Sequence, residues 1–133
     1  MTAWSVLVAG EAQGEGLVLT EPLSLWGGFD SETGLVIDVS HEQLGVSLTD
    51  RIVVMPHGRG SSSSSAVLAE AMRRGTAPAG FVLSEPDPIL VIGSLVGEHL
   101  YGISCPIVVS DGPAPHEGFW RISDGEVALV EGA

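Results

Sequence analysis

The sequence contains no lysine, a single cysteine, and no apolar run that approaches the roughly 18–20 residues of a membrane span. The absence of lysine excludes Schiff-base chemistry within the chain, because that chemistry needs an amine nucleophile. The single thiol, Cys105, excludes an internal disulfide and cannot alone hold zinc or an iron–sulfur cluster. Its position before Pro106 and an apolar strand pattern favours a buried core thiol.

Positive charge is scarce as well, since five arginines face 17 carboxylate side chains and leave a net charge of −12 over 133 residues. Such a field repels nucleic acid and anionic membranes, so neither is an expected partner. Most of this acidity is expected on a solvated surface.

The N-terminus lacks the basic segment of a secretory signal, which favours a cytoplasmic location. The length predicts one domain that spans residues 1–133.

The middle of the chain alternates between short apolar strand patterns and longer helical patterns. Strands are expected at residues 51–55, Gly80–Leu83 and 106–109, and helices at residues 66–74 and 89–101. Right-handed crossovers would make these strands parallel and buried. The sequence therefore predicts a small parallel β-α-β-α-β core.

Residue types that cap helices support these boundaries. Gly75 and Gly102 follow the two helical patterns as C-caps, and Asp87 precedes Pro88 as the N-cap of the second. This second helix also places four apolar residues on one face, as in an amphipathic helix: Ile89, Ile92, Val96 and Leu100.

The remaining strands are expected to flank the core in antiparallel fashion. Residues 4–9 and 16–20 are interpreted as an early antiparallel pair, and residues 35–39 as a further strand. Residues 119–122 and 126–130 are separated by Ser123-Asp124-Gly125, which predicts a hairpin. The fold class is α/β, with a parallel core between antiparallel strands.

The strongest local signal is the turn Gly58-Arg59-Gly60-Ser61, which joins the first core strand to five consecutive serines and a helix. Unpaired N–H groups and the helix dipole make such a place suitable for an anion, and Arg59 could donate to a carboxylate or phosphate. A nucleotide P-loop is excluded, because it needs a lysine. The alternative is simple capping in a flexible loop, although one cap needs only one serine.

A second segment, residues 24–30, contains two adjacent glycines beside Trp26 and ends at Asp30. Glycine lets the backbone approach a ligand closely, and tryptophan can form a pocket wall. A wide turn with a core tryptophan explains the segment equally well.

The histidines at positions 41, 57, 99 and 116 lack metal-ligand spacing. Only His57 is close to the serine-rich loop, and a polar loop histidine is its simpler interpretation.

Taken together, four segments in this order resemble the small subunit of the aconitase X family. They are residues 22–30, Thr33-Gly34, residues 58–63 and Ala77-Pro78-Ala79. The resemblance implies a swivelling β/β/α domain that docks on a large aconitase X-type subunit. It also implies that the large subunit carries an iron–sulfur cluster or iron, that this chain alone binds no metal or cofactor, and that the pair dehydrates a small anionic hydroxy acid.

Within this resemblance, Ser61 matches the catalytic serine of the family, which acts as the proton acceptor. Two further groups of residues are implied in substrate binding. The loop group is Arg59, Gly60 and Ser62, and the group of the second segment is Ser24, Trp26, Gly27, Gly28 and Asp30.

Two substrates and one non-catalytic role remain open at the level of sequence. The serine-rich loop is more similar to family members that dehydrate cis-3-hydroxy-L-proline, and mevalonate 5-phosphate is the alternative substrate. A different class of function, a regulatory domain that holds an anionic metabolite without catalysis, is also compatible with an anion-binding loop.

Overall fold

The computed structural model describes residues 4–58, 61–110, 116–123 and 125–130. Within these ranges the elements follow in the order β1 Trp4–Val8, β2 Ala12–Val18, α1 Leu25–Gly28, β3 Ile52–Met55, α2 Ser64–Arg74, β4 Gly80–Leu83, α3 Pro88–Tyr101, β5 Ile107–Ser110, β6 Phe119–Ser123 and β7 Glu126–Leu129.

The strands form one mixed sheet in the order β1-β5-β4-β3-β2-β6-β7. Strands β2, β3, β4 and β5 are parallel to one another, which confirms the predicted β-α-β-α-β core and adds β2 to it. Both ends of the sheet are antiparallel, with β1 on β5 and the predicted hairpin of β6 and β7 on β2. The predicted α/β class with antiparallel flanks is confirmed.

The predicted pairing of the first two strands is wrong. β1 pairs with β5, whereas β2 pairs with β3 and β6, so the whole parallel core separates them in the sheet order. Apolar alternation shows that a segment is extended but does not show which strand lies beside it. The sheet curls, since a Cβ at Gly125 in the β6–β7 turn would contact Val6 of β1 at 2.7 Å. Curling lets a short connection join β1 to β2.

The predicted strand at residues 35–39 is also absent, although this part of the chain is ordered by isolated backbone bridges. Leu35 pairs with Ser47, and Val36 pairs with Phe29. A turn with Gly34 at φ 77° precedes these residues, and the bridges do not extend into a ladder. α1 is a single turn in which Trp26 and Gly27 are not helical.

Helix α3 packs on the core through a different face from the one that carries Ile89, Ile92, Val96 and Leu100. Its buried residues are Leu90, Gly93, Ser94 and Gly97, whereas Ile92 and Leu100 are 53% and 60% exposed. The cause is the close approach of α2: a Cβ at Gly93 would lie 2.8 Å from the backbone oxygen of Ser65. Small residues therefore face α2, and the larger apolar side chains lie outside.

The helix ends agree with their capping residues. Gly75 and Gly102 are left-handed, with φ of 80° and 68°, and end α2 and α3. Asp87 caps α3 by accepting the N–H groups of Ile89 and Leu90. No helix in the described ranges is long and apolar enough to cross a membrane.

Cys105 lies in the core, as expected, with 1% of its surface exposed. Its Sγ donates to the carbonyl oxygen of Pro78 at 3.5 Å, and burial raises the pKa of the thiol to about 12. We expect Cys105 to resist iodoacetamide in the native protein at pH 8, because little thiolate forms and the reagent is excluded. Mass spectrometry should show labelling only after guanidinium is added, and stoichiometric labelling of the folded chain would contradict this placement.

Candidate active site

A cleft of about 290 Å³ opens at the carboxyl ends of β3 and β4, where α2 and α3 begin. Ligands of parallel sheets commonly bind at this edge. We call it the Ser61 cleft, and its lining residues are Leu23, Leu25, His57, Gly58, Ser61, Ser64 and residues 85–90. Because α2 and α3 both start here, the positive ends of two helix dipoles point toward the same space.

Ser61 is half-buried in the wall of this cleft. Its Oγ accepts the backbone N–H of Ser63 at 3.0 Å, and its carbonyl oxygen accepts the N–H of Ser64 at 3.0 Å. The hydroxyl oxygen is therefore held against the amide of the residue that immediately precedes α2. A negative charge on Oγ would be stabilised at this position by the N–H group and by the helix dipole.

The structure brings the two sequence segments together on one side of the Ser61 cleft. Leu23 and Gly58 form an isolated parallel bridge, and the N–H of Trp26 donates to Oγ of Ser64 at 3.1 Å. Trp26 itself is 59% exposed. The second segment is thus attached to the start of α2, but Leu25 is its single residue that lines the Ser61 cleft.

The other serines of the run have separate structural uses. Ser65 donates from Oγ to the carbonyl oxygen of Ile89 at 2.6 Å and links α2 to α3. Ser62 and Ser63 are exposed, and Ser63 is the first residue before α2. Five consecutive serines therefore supply a helix cap, two links between segments and two solvent-facing hydroxyls.

The remaining residues of the second segment are bonded within their own turns. Ser24 donates from Oγ to the carbonyl oxygen of Trp26 at 2.9 Å, and Asp30 accepts from Glu32 N–H and Thr33 Oγ1. Gly27 is left-handed at φ 83°, and a Cβ there would meet no atom within 4 Å. Gly28 is buried, and its carbonyl oxygen accepts the N–H of Ile37. Their roles in substrate binding stay predictions.

Two loop residues implied in substrate binding, Arg59 and Gly60, lie outside the described residues. The loop between β3 and α2 is described on both sides of them, up to Gly58 and again from Ser61. A substrate contact by the Arg59 guanidinium therefore stays a prediction.

The Ser61 cleft is also lined by three titratable residues that the sequence motifs do not assign to the site: His57, Glu85 and Asp87. His57 Nδ1 contacts the carbonyl oxygen of Gly58 at 2.5 Å, and because a carbonyl can only accept, Nδ1 carries the hydrogen. Asp87 was expected only as a helix cap. No local pattern in the sequence indicates their convergence, which depends on β3 and β4 being neighbours.

The described residues do not fit an iron–sulfur cluster or an iron ion. None of the parts of the chain described here contains a group of three or more His, Cys, Asp or Glu side chains that could hold a metal. Cys105 is the wrong ligand for this purpose, because its buried thiol donates to a carbonyl and its pKa is raised to about 12.

Known proteins share both the fold and long stretches of the sequence. Residues 2–133 match the family model of the aconitase X swivel domain. Aconitase X from Thermococcus kodakaraensis, in its holo-form, superposes with a TM-score of 0.85 and 30% identity, covering 98% of each chain. A phosphomevalonate dehydratase small subunit from Methanosarcina acetivorans is 32% identical over 93% of this chain and 80% of its own.

Two further relatives are more similar over shorter stretches. A cis-3-hydroxy-L-proline dehydratase from Pseudomonas aeruginosa is 48% identical over 76% of this chain, and a phosphomevalonate dehydratase small subunit from Methanopyrus kandleri is 51% identical over 65%. The matched part of the chain spans 17% of the first protein and 64% of the second. With the family model matched across nearly its whole length, and with the same fold, the chain belongs to the aconitase X swivel-domain family.

Proposed function

We propose that this chain is the small subunit of a heteromeric hydro-lyase that dehydrates cis-3-hydroxy-L-proline to a pyrroline-2-carboxylate. The observation that carries the proposal is Ser61, which lines a cleft between two helix N-termini with its Oγ bonded to the first turn of α2. The named relatives support a dehydratase of this kind, and two of them are themselves small subunits.

The reaction requires one group to remove the proton from the carbon next to the substrate carboxylate, while hydroxide leaves the neighbouring carbon. A serine hydroxyl is a poor base near neutral pH, so it serves only if its deprotonated form is stabilised. Ser61 meets this need through the Ser63 N–H and the positive end of α2. In the proposed reaction the deprotonated Oγ takes the substrate proton and is left as a neutral hydroxyl.

The charges of the cleft favour hydroxyproline over a phosphate ester. Its described lining contains two carboxylates, Glu85 and Asp87, and neither arginine nor lysine. These two carboxylates disfavour a phosphate dianion, whereas the protonated ring nitrogen of hydroxyproline complements Glu85. Arg59, which the sequence assigns to substrate binding, lies outside the described residues. The apolar side chains of Leu23, Leu25 and Ile89 offer a wall for the pyrrolidine ring. A carboxylate suits the two helix N-termini.

The proposal includes a large subunit that closes the cleft. Apolar side chains remain exposed in the second segment, which is attached to the start of α2, and in the residues that follow it, with Trp26 59% and Val39 88% exposed. Ile37 is joined to Gly28 through its N–H and is exposed as well. Exposed apolar groups next to a cleft are typical of a surface that contacts another protein.

A direct test is to reconstitute the chain with its large subunit and to measure dehydration of two substrates. We expect kcat/KM for cis-3-hydroxy-L-proline to exceed that for mevalonate 5-phosphate at least about a hundredfold, the discrimination typical of a site that lacks the partner groups of one substrate. The second substrate is a real competitor, because small subunits of phosphomevalonate dehydratases match this chain at 32% and 51% identity. The reverse preference would overturn the substrate assignment.

Calorimetry on the isolated chain separates catalysis from a purely binding role. Since the proposed pocket is shared, the chain alone should give no heat of binding with either compound up to about millimolar concentration, where free energies of binding fall near −4 kcal/mol. Micromolar binding by the isolated chain, together with an inactive reconstituted pair, would favour a regulatory domain that holds an anionic metabolite.

A further inference from the structure

We propose that Asp87, besides capping α3, is a positioning residue for the loop that carries Ser61. The proposal rests on the proposed function of Ser61 and adds a second role for a residue that the sequence indicates only as a helix cap. Oδ1 of Asp87 accepts the N–H groups of Ile89 and Leu90 at 3.0 and 3.3 Å, which completes the cap. Oδ2 instead accepts the N–H of Gly58, across the cleft, at 2.9 Å.

A helix cap needs only one oxygen, so the second bond has another use. Gly58 lies in the loop, three residues after the end of β3 and three residues before Ser61. Its carbonyl oxygen accepts from the His57 ring, so both sides of this residue's backbone are held. A Cβ at Gly58 would collide with Oδ2 of Asp87, which explains why a glycine occupies the position.

The loop is thus anchored at both described ends, by Asp87 at Gly58 and by the first turn of α2 at Ser61. A second link, from Ser65 Oγ to the carbonyl oxygen of Ile89, fixes α2 to the same first turn of α3. The start of α3 therefore sets where the loop begins and where it ends. If the backbone of Gly58 were free to move, the position of Ser61 Oγ would vary as well. Displacements of about 1 Å in a reacting group can lower the rate a hundredfold.

Asp87→Asn separates the two uses of the carboxylate. Asparagine caps helices about as well as aspartate, so one amide oxygen can keep the α3 cap. Its NH₂ group then faces the N–H of Gly58, and two donors cannot bond to each other. We expect kcat of the reconstituted enzyme to fall at least about tenfold while KM changes less than about threefold, since orientation rather than affinity is lost. A matched control is Asp50→Asn, an exposed aspartate away from the cleft, which should leave both values unchanged.

Amide hydrogen exchange provides a readout that does not need activity. In Asp87→Asn the amides of Gly58 and Ser63 should exchange at least about tenfold faster, while that of Leu90, still capped, should not change. Unchanged exchange at Gly58, or wild-type kcat in a folded and assembled variant, would overturn the positioning role. If the wild-type pair dehydrates neither substrate but exchange at Gly58 still rises in the variant, the proposed function fails and the anchoring role of Asp87 stands.

Discussion

Replacing Ser61 with alanine should lower kcat of the reconstituted enzyme at least about a hundredfold, or about 2.7 kcal/mol in the activation free energy. The alanine side chain cannot accept a proton, and no other hydroxyl among the described residues accepts the amide that precedes α2. KM should change little, because the cleft walls contributed by Leu23, Leu25 and residues 85–90 stay in place. Steady-state kinetics with the large subunit in excess measures both values.

The control for Ser61→Ala is Ser63→Ala, the same chemical change two residues away. Ser63 is exposed and its side chain makes no capping hydrogen bond, so this variant should keep wild-type turnover. Ser61→Ala also loses the bond to the Ser63 N–H, which costs about 1 kcal/mol of stability, as for other helix caps. Thermal unfolding and gel filtration must therefore show a folded, assembled variant at the assay temperature. A folded Ser61→Ala enzyme with more than a tenth of normal turnover would remove Ser61 from the chemistry.

The parallel core was predictable because its signals are local. Each strand from β3 to β5 is a short apolar run, and each helix is bounded by residues that cap helices for intrinsic reasons: Asp87, Gly75 and Gly102. Crossover handedness then leaves few arrangements of such a segment. Sequence reasoning succeeds here because the conformation of each residue depends mainly on its neighbours in the chain.

The wrong predictions concern which elements lie side by side. β1 and β2 are adjacent in sequence, yet each pairs with partners more than 30 residues away, because the hydrogen-bonding edges of the core are better partners than a two-stranded ribbon. For α3 the sequence shows which residues are apolar, but it does not show which face of the helix packs on the core. Gly93 and Gly97 determine it, since they let α2 approach closely, and glycine carries no hydrophobic signal.

The residues of the candidate site show the same difference between local and long-range signals. Ser61 was predicted from a strand, a glycine-rich turn and a helix start that are contiguous in the chain. The second oxygen of Asp87 was not, because its partner Gly58 lies 29 residues earlier and the bond exists only once β3 and β4 are neighbours. Local motifs therefore predict the proposed reacting group, whereas the contact proposed to position it depends on the fold.

Gly93→Val should lower the free energy of unfolding by about 3 kcal/mol, the upper part of the range for overpacking a core. A Cβ at this position lies 2.8 Å from the backbone oxygen of Ser65 and 3.1 Å from its Cα. Backbone atoms of a helix cannot rotate away, so α3 must move from α2 and the Ser65–Ile89 link must lengthen. Chemical denaturation of the isolated chain, or of the assembled pair if the chain is unstable alone, measures the loss.

Gly97→Val is the matched control, since it makes the same change one turn later on the same face of α3. There the added Cβ meets the Sδ and Cε atoms of Met72, the flexible end of an unbranched side chain that can change rotamer. The backbone and helix-propensity effects of the two substitutions are the same, so their difference isolates the contact with α2. We expect Gly97→Val to be at least about 1 kcal/mol less destabilising than Gly93→Val. Equal losses would mean that the helices do not touch most closely at Gly93, and the account of why the apolar face of α3 lies outside would fail with it.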